Sequence, residues 1–284
     1  MGSTDSARAH ANGDAVRACV DTTPLHGTWS ATDETTIGLI ELEIRAADNA
    51  AVALIAGVAG RSGVVQLAGT APRAYASAAF GDPAASAMTA TIQADGLSAL
   101  LTFYLKGEIL VLDAFVTPPP GDPRVPHYAR ELFHRADADR QRDQASRGFT
   151  AERRTPHPRY AAVLAGAASA TLDITPLAGE WENVNHASTD VRRVSLSATD
   201  GALLHWAGAV AADSPWLPVV PFAAAPDSAV PIGFTTRMTI HGMDAIVSGY
   251  ATRGILVLDC HTRCEDGRRD HLVREFFSRP WRRR

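Results

Sequence analysis

The chain has 284 residues, 46% of them hydrophobic and 20% charged, with a formal net charge of −4. These proportions are those of a folded globular protein, and at about 150 residues per domain the length fits two domains or one large one. The negative balance argues against a nucleic-acid partner, no apolar run approaches the ~18 residues of a membrane-spanning helix, and the first twenty residues lack the apolar stretch of a secretory leader.

Residues 1–19 read as a flexible N-terminus. A repeat then begins. Thr-Pro-Leu-His-Gly-Thr-Trp (23–29) recurs as Thr-Pro-Leu-Ala-Gly-Glu-Trp (175–181), Gly-Glu-Ile-Leu-Val-Leu-Asp (107–113) as Gly-Ile-Leu-Val-Leu-Asp (254–259), and His-Tyr-Ala-Arg-Glu-Leu-Phe-His-Arg (127–135) as His-Leu-Val-Arg-Glu-Phe-Phe-Ser-Arg (271–279). Three matches in the same order indicate an internal duplication, with copies at 20–136 and 172–284. Within them the apolar period is two, as in Ile40-Glu-Leu-Glu-Ile44, Val194-Ser-Leu-Ser197 and Phe234–Ile240, which is the period of half-buried strands. Asp95-Gly96, Asp200-Gly201 and Asp266-Gly267 supply hairpin turns between the runs. The segment 137–171 is polar and helix-prone until Thr155-Pro-His-Pro158 interrupts it, so a partly helical linker is expected there. The fold class is therefore all-β, with an antiparallel barrel in each copy, since closure removes exposed strand edges.

The pair Gly27-Thr28-Trp29 with Arg135, repeated as Gly179-Glu180-Trp181 with Arg279, resembles the lipocalin (calycin) pattern. That family opens its barrel with Gly-x-Trp and closes it with an arginine packed across the indole. The resemblance implies a cation–π contact in each copy and two lipocalin-like barrels. The Thr-Asp-Tyr motif of that family is absent from this chain.

Candidate site residues come from comparing the copies. If Ile40, Leu42 and Ile44 face inward, then Arg192, Val194 and Leu196 do so in the second copy. Arg192 then needs a carboxylate or an anionic ligand, unless it lies at the strand's start and points to water. Counting in twos back from Arg279 places Phe277, Glu275, Val273 and His271 on one face. Glu275 can serve as an acid or base, or as part of a structural ion-pair network that the first copy shares through Glu131. Asp113 and Asp259 carry the same two readings. Trp206, aligned with Leu54, Tyr250, aligned with Phe103, and Trp216, in a proline-flanked loop, supply aromatic walls for a pocket or simply for a core. Arg192, Glu275 and Tyr250 are the catalytic candidates, and Trp206, Trp216, Asp259 and His271 the substrate-binding ones.

Cys260-His261-x-x-Cys264 has the look of a zinc ligand set, but four residues along a strand span about 13 Å, too far for two cysteines to share one ion or a disulfide. No metal and no cofactor is expected. Three cysteines, an odd count, suit a reducing cytoplasm. Lys106 is the sole lysine, which leaves little room for Schiff-base chemistry. The expectation is a cytoplasmic, cofactor-independent isomerase or cyclase holding a hydrophobic, polyketide- or terpenoid-like molecule in a barrel. The alternative is a non-catalytic carrier or sensor of a lipophilic ligand. Neither a nucleic-acid nor a membrane partner is expected, and a homodimer stays open.

Overall fold

The computed structural model describes residues 19–33, 39–46, 52–58, 64–66, 69–94, 97–122, 124–136, 172–188, 191–199, 201–208, 215–240 and 243–280. The expected linker at 137–171 and residues 1–18 of the expected N-terminal segment lie outside them. Among the described residues there is no α-helix, and none that could cross a membrane as a long apolar helix. The protein is all-β: its sheet closes into an antiparallel barrel with extra strands.

Among the described residues, eighteen strands follow a short 3-10 turn at Thr23–Leu25. The first half of the chain supplies β1 (Gly27–Ala31), β2 (Leu39–Ala46), β3 (Val52–Val58), β4 (Val64–Gln66), β5 (Gly69–Ala76), β6 (Ala85–Ala94), β7 (Leu97–Lys106), β8 (Ile109–Thr117) and β9 (His127–Arg135). The second half supplies β10 (Gly179–Asn183), β11 (Val191–Ser197), β12 (Leu203–Gly208), β13 (Leu217–Pro218), β14 (Val220–Ala223), β15 (Pro231–Ile240), β16 (Met243–Thr252), β17 (Ile255–Arg263) and β18 (His271–Ser278). In the first half β9 returns to β1, pairing Arg135 with Trp29; in the second, β18 returns to β10, pairing Phe277 with Asn183. Two single parallel bridges join the halves, Ala223 to His127 and Ala76 to His271. They fall at equivalent ends of matching strands.

Alternation puts one apolar row of each strand inward. Trp29, Leu42, Ile44, Met88, Phe103 and Phe133 form a buried cluster in the first half, and Trp181, Val194, Leu196, Phe234, Leu256 and Phe277 form one in the second. One exchange shows how closely these interiors are filled. Met88 faces Phe103 across β6 and β7, while the matching register on β15 and β16 pairs Phe234 with Gly249. A Cβ on Gly249 would lie 2.5 Å from the Phe234 ring, so the aromatic volume has moved to the neighbouring strand and the glycine makes room for it.

The tryptophan–arginine contacts form as the sequence implies. The guanidinium carbon of Arg135 sits 4.3 Å from the Trp29 ring centre and that of Arg279 sits 3.9 Å from Trp181. Each indole N–H donates to a carbonyl four residues earlier, Leu25 and Leu177, at 3.0 Å. Arg135 donates to the carbonyls of His26 and Pro24, and Arg279 to those of Ala178 and Pro176, so each arginine clamps the entry turn as well as the ring. The glycine of Gly-x-Trp is needed twice over. Gly27 and Gly179 have φ of +130° and +112°, and a Cβ on either would meet the arginine Nη1 at 3.0 and 2.6 Å.

Among the register slips that interrupt the alternation, one recurs near the start of the second strand of each half. β2 slips register at Ile40 and β11 slips at Arg192, because each carries a bulge against the neighbouring strand. The extra residue turns Arg192 outward, beside the equally exposed Arg193, while Val191 and Val194 stay buried. Of the two readings of Arg192, the inward-facing one is corrected: the side chain lies near the strand's start and is exposed.

Replacing Gly201 (φ +99°, open space around it) by alanine should cost about 1–2 kcal/mol from backbone strain alone. Gly179→Ala adds the collision with Arg279 and should cost measurably more in urea unfolding.

Candidate functional site

Strands β5–β9 and β14–β18 turn their outward rows toward each other, and this seam concentrates the buried polar chemistry. Asp113 on β8 and Asp259 on β17 occupy matching register positions and are 1% and 3% exposed. Arg130 donates to both Asp113 oxygens at 2.7 Å, and Arg274 donates to both Asp259 oxygens at 2.6 and 2.5 Å. The Tyr128 hydroxyl adds a 2.6 Å hydrogen bond to Asp113.

Each arginine then reaches across the seam. Arg130 lies 4.1 Å from the Tyr250 ring centre and Arg274 lies 3.3 Å from that of Tyr104. Tyr128 and Tyr250 stack at 5.3 Å, and Arg274 approaches Asp113 at 3.8 Å. Burial works against both guanidinium charges, but the carboxylates outweigh it and hold both arginines above their ordinary pKa. Burial also raises the Tyr128 and Tyr250 hydroxyls, so both stay protonated. These groups spend their hydrogen-bonding capacity on one another. The network fastens rather than reacts.

Among the described residues, two clefts flank it. The larger, about 590 Å³, takes Arg73, Tyr75, Thr89 and Thr91 from the first half and Arg237, Asp244, Ile246, His261 and Arg263 from the second. The smaller, about 450 Å³, is lined by the residues at matching registers: Val220, Phe222, Thr235, Arg237, Thr91, Ser98, Leu100, Phe115 and Thr117. Position for position, Tyr75 corresponds to Phe222, Arg73 to Val220, His261 to Phe115 and Arg263 to Thr117. Arg237 lines both clefts, but the larger adds Arg73, Arg263 and His261 where the smaller has Val220, Thr117 and Phe115.

His261 is the most confined polar group of the larger cleft. It is 2% exposed, edge-on to the Tyr75 ring at 5.0 Å, and its Nδ1 is buried without a hydrogen-bond partner. Burial pulls its pKa from 6.5 to about 3, with the Arg274 charge adding to the effect, so the imidazole is neutral near pH 7. The Nε of Arg263 is likewise enclosed and unpaired. Beside them the Tyr75 hydroxyl lies 3.2 Å from the Thr89 hydroxyl, and burial raises its pKa.

The sequence-derived candidates do not converge. Tyr250 is in the seam, at the register of Tyr104 rather than that of Phe103. Glu275 is on the opposite, inward face of β18, accepting hydrogen bonds from Asn183 Nδ2 at 3.0 Å and Ser188 Oγ at 2.6 Å. Arg192 is on the exposed bulge. Asp259 belongs to the fastening network. His271, at the start of β18, has its Nδ1 3.1 Å from the Arg269 carbonyl and 3.6 Å from Cys264 Sγ. Trp206 packs in the second-half core, at the register of Ala56 rather than Leu54. Trp216 is 50% exposed and lies 5.2 Å from the His205 ring on the outside. Cys260 faces the core while His261, next in the strand, faces the seam.

Inward-row reasoning missed Arg73, Tyr75, Arg237 and Arg263 altogether. The available signal was the outward row just past the shared Leu-Asp, where one copy has Phe115 and the other His261.

Because the folded-state pKa of His261 lies below its unfolded value, protonation favours unfolding, and its contribution is lost as pH falls from about 6.5 toward 3. Between pH 7 and 5 the wild type should lose about 1–2 kcal/mol through this group. His261→Phe, the residue found at the matching position, should show a flatter dependence when urea unfolding is compared at the two pH values.

No family model and no curated protein matches the chain. A solved structure from Nostoc punctiforme, of a protein of unknown function from the DUF3598 family, is 11% identical; the alignment covers 89% of this chain and 96% of that one, with a TM-score of 0.31. That score is too low to support a fold or functional argument.

Proposed function

We propose that this protein binds a small amphipathic molecule in the polar seam cleft and acts as a carrier or sensor of it. The scaffold in this reading is a pair of lipocalin-like barrels produced by internal duplication. The duplication is supported by the shared Trp–Arg closure, the bulges at Ile40 and Arg192, and the matching seam positions. The observation that carries the binding reading is the contrast between the clefts. Equivalent concavities share a backbone plan, yet only one encloses a neutral histidine with an unpaired nitrogen, and burying such an atom is costly unless something bonds to it. An aromatic and aliphatic wall with a few placed polar groups is the usual make-up of a small-molecule site.

Binding is favoured over acid–base catalysis because a histidine titrating near 3 is a weak base at neutral pH. Isomerisation or cyclisation in the same cleft is the second reading. It is favoured by the Tyr75 hydroxyl, kept protonated by burial and so able to donate to a developing oxyanion.

A thermal-shift screen of aromatic and alkyl small molecules, followed by titration of the hits, tests the proposal. Thr239→Trp, at an exposed position lining the larger cleft alone, should weaken binding about tenfold or more, while Val220→Trp in the smaller cleft should leave it unchanged. Equal affinities in both variants would place the site elsewhere. Recovery of the ligand chemically unchanged favours the carrier; a rearranged product favours the enzyme.

A further inference from the structure

Resting on the reading of the larger cleft as a ligand site, we propose that its occupant is an oxyanion: a carboxylate or phosphate monoester on an apolar body, held by Arg263 and Arg237 and hydrogen-bonded by His261.

Three arginines line this cleft against a single carboxylate, Asp244. The charges are unevenly matched. Arg73 donates to Asp270 at 2.9 Å and is largely answered. Asp244 accepts the Thr239 hydroxyl at 3.3 Å. Arg263 has an ion-pair partner only at its exposed end, Glu265 at 3.5 Å, while its Nε is enclosed and unbonded. Arg237 makes no ion pair among the described residues, and its alternation places it on the same seam face as Asp244 and Ile246. Arg263 Nε and His261 Nδ1 are thus buried without hydrogen-bond partners on two side chains that line the cavity, and the Nδ1–H tautomer of His261 would make both of them donors.

A ligand with paired anionic oxygens supplies what these groups lack. A guanidinium fork matches the geometry of carboxylate and phosphate alike, and the charge-assisted bonds it forms are among the stronger ones in proteins. A purely apolar ligand would leave both nitrogens unpaired and the arginine charges desolvated. Tyr75, Ile246 and Leu217 offer the apolar body its wall. In the sister cleft Thr117, Phe115 and Val220 stand where Arg263, His261 and Arg73 do, so Arg237, which lines both clefts, is the one arginine they share.

The test is calorimetric titration of the full chain with benzoate, 2-naphthoate and phenyl phosphate, each beside its uncharged counterpart: benzamide, 2-naphthamide and phenol. The wild type should bind an acid at least tenfold more tightly than its neutral counterpart, and the preference should shrink with added salt. Arg263→Gln should erase that preference, bringing the acid's affinity down to that of its neutral counterpart. Thr117→Val, at the matching position of the sister cleft, should alter neither. Arg237→Gln, at an exposed position, serves as a second variant if thermal melts show Arg263→Gln to be unfolded. Whether carboxylates or phenyl phosphate gain more identifies the oxyanion. Acid and amide binding equally, with both lost on Thr239→Trp, overturns the anion while keeping the cleft as a site. Failure of every pair to bind overturns both.

Discussion

Two carboxylates with almost no access to water, Asp113 and Asp259, set the terms for this molecule. A buried charge must be paired, and each is paired by the arginine directly opposite it on the next strand, which also covers a tyrosine of the opposite half. Because Arg130 rests on Tyr250 while bonded to Asp113, and Arg274 rests on Tyr104 while bonded to Asp259, neither half completes its own network. The outward faces of β5–β9 and β14–β18 are held together by this mutual dependence, and the two clefts exist because the faces meet around it. The arginines clamping Trp29 and Trp181 perform a separate task, closing each half at its entry turn.

Given that seam, the difference between the clefts becomes informative. A matched pair of concavities built on matching strands provides an internal comparison. Where packing alone governs, the lining is Phe115, Phe222 and Val220, which fill space and need no partners. Where His261, Tyr75 and Arg263 stand instead, the chain holds polar atoms in positions that hydrophobic residues demonstrably can occupy. The neutral state of His261 is a consequence of its enclosure and suits hydrogen bonding to a ligand better than proton exchange with one.

Much of the architecture was legible because it is local. Period-two alternation in Ile40–Ile44 and Phe234–Ile240 marked strands, and Gly-x-Trp with a distant arginine marked the closure, since ring, guanidinium and missing Cβ impose one another. The bulge at Arg192 was not legible: it depends on how many residues the partner strand offers across the gap, and the alternation pattern runs on unbroken through Val194 and Leu196. The register of Trp206 was displaced for a related reason, because loops of unequal length intervene between the copies. The site was the least accessible. Its residues sit on outward rows, which sequence reasoning treats as solvent-facing, and only the pairing of two such rows from distant parts of the chain buries them. The recurrence of Asp113 as Asp259 after near-identical apolar runs was the one readable trace of that pairing.

The account depends on the seam network being a fastener, and Asp113→Asn measures this directly. The change preserves shape but removes the charge that Arg130 and Arg274 share. Urea unfolding at neutral pH should show stability lowered by about 2–3 kcal/mol, below the ~3–5 kcal/mol of a fully buried pair because Arg130 is partly exposed. Unchanged stability would contradict the claim that this cluster joins the two faces.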